Sequence, residues 1–200
     1  MKTVAITGRS GCGKSQVTGH YAALGYPIAD ADLVAREVLM PGSPCIAQLC
    51  SRFGDDILDA EGNLQRRLLA DRAFATPEGT ADLTSITHPE IIRRLMDAKH
   101  RAEQSGTELF FVDGAVILNS AFEKECDGIM LVATPLETSV QRICARDGIS
   151  PEMARRRLDA QPSEEWLRSR SDYVLENDSD IETMIERADA ALQFWKNKEM

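Results

Sequence analysis

The 200-residue sequence contains no run approaching the roughly 18 consecutive apolar residues that a membrane-spanning helix needs, so no segment reads as a membrane anchor. Its N-terminus also lacks the charged, apolar and small-residue order of a secretory leader, which makes the cytoplasm the expected location. The cysteines (Cys12, Cys45, Cys50, Cys126, Cys144) are odd in number and show no C-x-x-C spacing. That argues against a disulfide framework or a zinc site and leaves reduced thiols as the expectation. Net charge is -9, which disfavours a broad surface for nucleic acid or acidic membrane, since tracking phosphates needs clustered cations. A local basic pocket remains compatible with it. There is no internal repeat, low-complexity tract or Pro/Gly/Ser linker, and one domain carrying small insertions is expected.

What is present is a rhythm of short β-rich runs and longer helical stretches, with 43% hydrophobic residues to bury. The candidate strands are TVAIT (3–7), YPIAD (26–30), LFFVD (109–113), GIMLVA (128–133) and SDYVLEN (171–177). Near-continuous apolar character in LFFV and IMLV is what strands buried on both faces require. The fold class expected is therefore α/β, a parallel five-stranded sheet with helices on both faces. Residues 36–105 form a helical excursion between the second and third strands. Within it PGSP (41–44) opens a helix, AEGN (60–63) makes a turn, and THPE (87–90) interrupts or starts a helix.

After the first strand comes Gly8-Arg9-Ser10-Gly11-Cys12-Gly13-Lys14-Ser15, and then a helical stretch. This fits G-x-x-x-x-G-K-[ST] in the strand–loop–helix context its mechanism requires. Glycines let successive backbone N–H groups converge on phosphate oxygens, and the helix that follows adds the positive end of its dipole. Lys14 then bridges β- and γ-phosphates and the Ser15 hydroxyl ligates Mg²⁺. The plain alternative is an ordinary glycine-rich turn. The next informative stretch is IADAD (28–32). In a doubly wound sheet, ligands gather at the carboxyl ends of strands. Asp30 and Asp32 would follow the second strand there, one orienting a hydroxyl, the other helping to hold hydrated magnesium. For Asp30 the competing reading is a simple helix cap.

These residues, together with PGSP, RFGDDILDAEGNLQRRLLADRAFA (52–75), His88-Pro89, ARDGIS (145–150), AQ (160–161) and DYVLEN (172–177), make nearly the whole chain resemble the dephospho-CoA kinases. The resemblance implies a P-loop NTPase-like three-layer fold with a helical acceptor-side insertion and an arginine-bearing lid at about 142–170. It implies ATP and dephospho-coenzyme A as partners, Mg²⁺ as cofactor, and a monomer or weak homo-oligomer without nucleic acid or membrane. On it, Asp32, Lys14 and Arg146 are the catalytic set. Gly8, Gly11, Cys12, Gly13, Lys14, Ser15, Gln16, Arg142 and Asn177 contact ATP, and Asp32 and His88 contact the acceptor. Ser15 ligates the metal, with Asp30 and Asp113 reaching it through water. For Arg155, Arg156 and Arg157 the favoured reading is a solvated helix paired with nearby carboxylates.

The chain departs from the family pattern in places. Arg9 stands where a second glycine is common, and either points outward or adds a phosphate contact. Cys12 and Gln16 replace a usual Ser and Thr, and Ala115 and Asn119 replace a usual Pro and Glu. Two other classes stay open, a P-loop kinase for a nucleoside-type acceptor and a nucleotide-binding paralogue that has lost transfer. NDSD (177–180) lacks the lysine of a guanine-reading N-K-x-D, which argues against a GTPase.

Overall fold

The structure, a computed structural model, describes residues 1–114 and 117–199. Five strands, β1 (Lys2–Thr7), β2 (Ile28–Asp30), β3 (Leu109–Asp113), β4 (Gly128–Ala133) and β5 (Tyr173–Glu176), form a parallel sheet in the order β2-β3-β1-β4-β5. The register runs Val4 to Phe111 on one side of β1 and Val4 to Gly128 on the other. β3 and β4 match the expected bounds. β2 and β5 are shorter than YPIAD and SDYVLEN suggest, because both lie at sheet edges with pairing on one side only.

The chain divides into two compact units, Met1–Ala29 with Lys99–Met200, and Asp30–Ala98. In the first, α1 (Lys14–Ala23) and α9 (Ile181–Asn197) cover one face of the sheet, burying Val4, Ile6, Tyr21, Phe111, Met130 and Trp195 in one cluster. Tyr21 stacks on Phe111 at 4.6 Å between ring centroids and donates to the Ala188 carbonyl at 2.9 Å, which fastens α1 to α9. Lys2 Nζ donates to the carbonyls of Trp195, Lys196 and Lys198 at 2.6–2.9 Å. A cation there satisfies the exposed carbonyls of a helix carboxyl end. On the opposite face Leu131 and Ala133 pack with Leu167 of α8 (Glu164–Arg170). Two further helices, α6 (Leu136–Asp147) and α7 (Pro151–Asp159), share a small core of Val140, Ile143, Ala154 and Leu158.

The second unit holds α2 (Ala31–Glu37), α3 (Pro44–Phe53), α4 (Arg66–Ala73) and most of α5 (Pro77–Gln104). α3 opens as expected, with Ser43 as cap and Pro44 at the first position, where a missing N–H costs nothing. The AEGN turn forms between the paired residues Leu58 and Leu64. THPE, in contrast, neither interrupts nor starts a helix: Pro89 lies inside α5, a continuous 28-residue helix. A proline inside a helix removes one i→i−4 hydrogen bond and crowds the carbonyl of the preceding turn. Helical turns of α5 on both sides of Pro89, and the ion pairs of Glu90 with Arg93 and Arg94 just after it, keep α5 whole.

Candidate active site

The expected phosphate loop occupies the turn from β1 to α1, at the point where the sheet order reverses, since β3 and β4 lie on opposite sides of β1. Such a switch point opens a crevice at the carboxyl ends of the strands. Four such ends meet here: Gly8 follows β1, Asp113 ends β3, Thr134 follows β4 and Asn177 follows β5.

Two glycines show why the loop needs its composition. Gly13, the cap residue of α1, has φ 90°, and a Cβ there would run into the Asn177 amide. Gly11 has φ 79°, and a Cβ would lie 2.7 Å from the Ser139 carbonyl oxygen. Left-handed backbone with no room for a side chain leaves only glycine. No side chain caps α1, so its first turn presents backbone donors and the positive dipole end at the loop.

Side chains hold this backbone from outside. Asn177, only 2% exposed, donates from Nδ2 to the Cys12 carbonyl at 2.7 Å, and its own carbonyl accepts from Thr134 Oγ1. Arg142 of α6 reaches the carbonyls of Gly11 (3.3 Å) and Cys12 (3.5 Å). The Cys12 N–H donates to the Arg9 carbonyl, and its buried thiol, pushed up from its ordinary pKa by desolvation, is a small packing group. Asn177 is thus seated beneath the loop. Among the ATP residues expected from sequence, Gly8, Gly11, Gly13, Lys14, Ser15 and Gln16 line the loop and the start of α1.

Lys14 Nζ lies 2.6 Å from Asp113 Oδ1, both side chains mostly buried. Ser15, the second residue of α1, keeps an exposed position. Arg146 ends up elsewhere: its Nε and Nη2 donate to both oxygens of Asp147 at 2.7 and 3.0 Å. Asp147 also accepts from Arg157, and the two guanidinium groups, Arg146 first, hold it down to a pKa of about 2. Arg155 is paired with Glu137. Of the expected α6 arginines it is therefore Arg142 that touches the loop.

In the second unit the two aspartates separate cleanly. Asp30 Oδ1 accepts from the Leu33 N–H at 2.8 Å and caps α2. Asp32, in the first turn of α2, has no hydrogen-bond partner among the described residues. His88 sits half-buried within α5. Asn119 adopts φ 63°, a conformation asparagine tolerates well, and its N–H donates to Glu123 at 2.5 Å. Its place is a turn that a left-handed residue must fill. Ala115 lies outside the described residues.

Sequence reading noted Gln161 only within AQ and gave it no role, and it missed the fate of Arg9. Gln161 Oε1 accepts from the Ser10 N–H at 2.9 Å and Nε2 donates to Ser10 Oγ at 2.6 Å, while Arg9 Nη2 donates to the Leu158 carbonyl at 2.6 Å. A polar residue just past a helix end was the available signal, but its partner is some 150 residues away.

A parallel sheet with a glycine-rich phosphate loop at its switch point, and the loop lysine beside an acidic strand end, defines a P-loop kinase fold. The Acinetobacter baumannii shikimate kinase shares it, at 19% identity and a TM-score of 0.53 over 97% of this chain and 92% of that one. The sequence profile of the dephospho-CoA kinases matches residues 2–183, and the chain belongs to that family. A dephospho-CoA kinase of Corynebacterium jeikeium is 37% identical over 195 residues, 98% of each chain. A Thermus thermophilus crystal structure superposes with TM-score 0.79 at 34% identity over 96% of each chain. The dephospho-CoA kinase of Campylobacter jejuni superposes with TM-score 0.74 at 25% identity over the full length of both. No helix among the described residues is long and apolar enough to cross a membrane.

Proposed function

We propose that the protein transfers the γ-phosphoryl group of ATP to the ribose 3′-hydroxyl of dephospho-coenzyme A, giving coenzyme A and ADP in the cytoplasm. Family membership over residues 2–183 supports the substrates. The observation that carries the chemistry is Lys14 held 2.6 Å from Asp113 at the mouth of a glycine loop.

Phosphoryl transfer asks a protein mainly for positioning and charge stabilisation. The backbone donors at the start of α1 take the phosphates, and the Lys14 ammonium follows the charge that develops on the β–γ bridge. Arg142 keeps the loop carbonyls turned away from the anion. Arg146 supplies charge to the migrating group on exchanging Asp147 for phosphate. Asp32, its carboxylate unspent, orients the acceptor hydroxyl and takes its proton as the oxygen–phosphorus bond forms and the bond to the ADP oxygen breaks. His88 lines the acceptor side.

No group of three or more His, Cys, Asp or Glu among the described residues makes a metal cage. Mg²⁺ needs no such cage, since it keeps waters and takes phosphate oxygens with only one or two protein ligands. The Ser15 hydroxyl and the Asp113 carboxylate are the hard oxygen donors that would hold it, and it would neutralise charge on the β- and γ-phosphates.

Incubation with Mg-ATP and, separately, dephospho-coenzyme A, adenosine or uridine, followed by ADP release, tests the reading. Turnover on dephospho-coenzyme A alone is expected. Turnover on a nucleoside alone would overturn the named acceptor.

A further inference from the structure

Arg9 follows the first glycine of the loop, yet its side chain turns neither to solvent nor into the phosphate cradle. Nη2 donates to the Leu158 carbonyl at the carboxyl end of α7, which the Gln161 N–H also reaches at 3.0 Å. Carbonyls at a helix carboxyl end lack intrahelical partners and carry the negative end of the dipole, so a guanidinium is well matched there. The next residue, Ser10, exchanges two hydrogen bonds with the Gln161 amide. Two consecutive loop residues are thus tied by three bonds to residues 158–161. Two residues on, α6 grips the same loop through Arg142, and Gly11 packs on Ser139. Because α6 and α7 share a core, loop and helical arm form one connected body.

We propose that Arg9, with Gln161, is a positioning residue for nucleotide. It holds the first half of the loop on the carboxyl end of α7, so that the amides and Lys14 further along are already in place when phosphate arrives. Preorganisation of this kind raises affinity by removing an ordering cost from the binding step. Arg9 Nε is buried with no hydrogen-bond partner among the described residues, and the side chain lines a small cavity together with Cys12, Thr134, Leu158, Glu164 and Leu167. A buried donor left unsatisfied at Nε offsets much of what the Leu158 bond adds to global stability. Its effect is expected in binding.

The proposal rests on the loop being the ATP phosphate site, and the test separates the two. Binding of a non-hydrolysable ATP analogue is titrated calorimetrically to wild type, Arg9→Gly, Arg9→Lys, Gln161→Ala and the double variant Arg9→Gly/Gln161→Ala. KM for each substrate, kcat and Tm are measured in parallel. Arg9→Gly is expected to weaken the analogue and raise KM for ATP about tenfold, the size of one charge-assisted hydrogen bond. kcat and KM for dephospho-coenzyme A should stay within about twofold, and Tm within about 3 °C. Arg9→Lys should recover most of the affinity, because an ammonium can still donate to the Leu158 carbonyl. Gln161→Ala should weaken binding too, and the double variant should fall short of the sum of the single effects. Unchanged analogue affinity in Arg9→Gly and Gln161→Ala, or a fall in kcat and Tm without any change in KM for ATP, would overturn the proposal. If wild type itself bound no analogue, the failure would lie with the phosphate-site reading, and this inference would go with it.

Discussion

Lys14 Nζ stands 2.6 Å from Asp113 Oδ1, joining the first turn of α1 to the carboxyl end of β3, the neighbour of β1 in the sheet. The pair fixes the lysine side chain at the carboxyl end of β3. On the proposed function, a phosphate would share this cation with Asp113.

Lys14→Ala is expected to lower kcat/KM by about 10²–10³, or about 2.7–4 kcal/mol, the loss typical of one preorganised donor. ADP release measures it. Retention of more than a tenth of wild-type kcat/KM would remove Lys14 from the charge-stabilising role.

The two aspartates after β2 should respond differently. Asp32→Asn is expected to cut kcat at least about 100-fold while the ATP dissociation constant moves only a few-fold, as for a group acting on the acceptor hydroxyl. Asp30→Asn should be nearly silent, because asparagine caps helices as well as aspartate, whereas Asp30→Ala should cost about 1 kcal/mol of stability. A strong loss of turnover in Asp30→Asn with intact Tm would assign Asp30 to catalysis instead.

Backbone geometry of the loop gives a third pair of outcomes. Gly13→Ala places a methyl group against the Asn177 amide at φ 90°, and left-handed backbone alone costs an L-residue about 1–2 kcal/mol. Analogue affinity should drop about tenfold or more as the helix start shifts. Asn177→Ala removes a donor from the buried Cys12 carbonyl, and a cost of about 1–3 kcal/mol is expected, read as a lower midpoint in urea. A wild-type midpoint would show that the carbonyl finds another partner.

Acid sensitivity should trace in part to Glu90 on α5. Its side chain is 11% exposed and is held by Arg93, and then by Arg94, at a pKa of about 2, against 4.5 for the ordinary carboxylate. A depressed folded-state value means that the stabilisation is complete above about 4.5 and is lost as pH falls toward 2. Glu90→Gln should lower Tm by about 2–4 °C at neutral pH, as for loss of about 1 kcal/mol. The gap from wild type should close as pH approaches 2. A gap of constant size across that range would place the effect in packing.

How much of this was legible depended on whether the signal is local. LFFVD and GIMLVA, apolar on both faces, announced β3 and β4 with correct bounds. The G-x-x-x-x-G-K-S spacing located the loop, because its glycines answer to the backbone of that same segment. Pro89 misled, since proline's local cost was outweighed by a long helix on either side. Asp30 and Asp32, alike in sequence, were separated by one hydrogen bond to Leu33.

From residue order alone came the parallel α/β core and the G-x-x-x-x-G-K-S loop with Lys14 and Ser15, both written in periodicity and short-range spacing, while the family came from the resemblance of ordered motifs along the chain. Tertiary structure alone placed Arg142 on the Gly11 carbonyl, seated Asn177 under Cys12, and joined Arg9 and Ser10 to Leu158 and Gln161. Those pairings link residues separated by more than a hundred positions, and they exist only because the carboxyl ends of β1, β3, β4 and β5 are brought to one edge of the sheet.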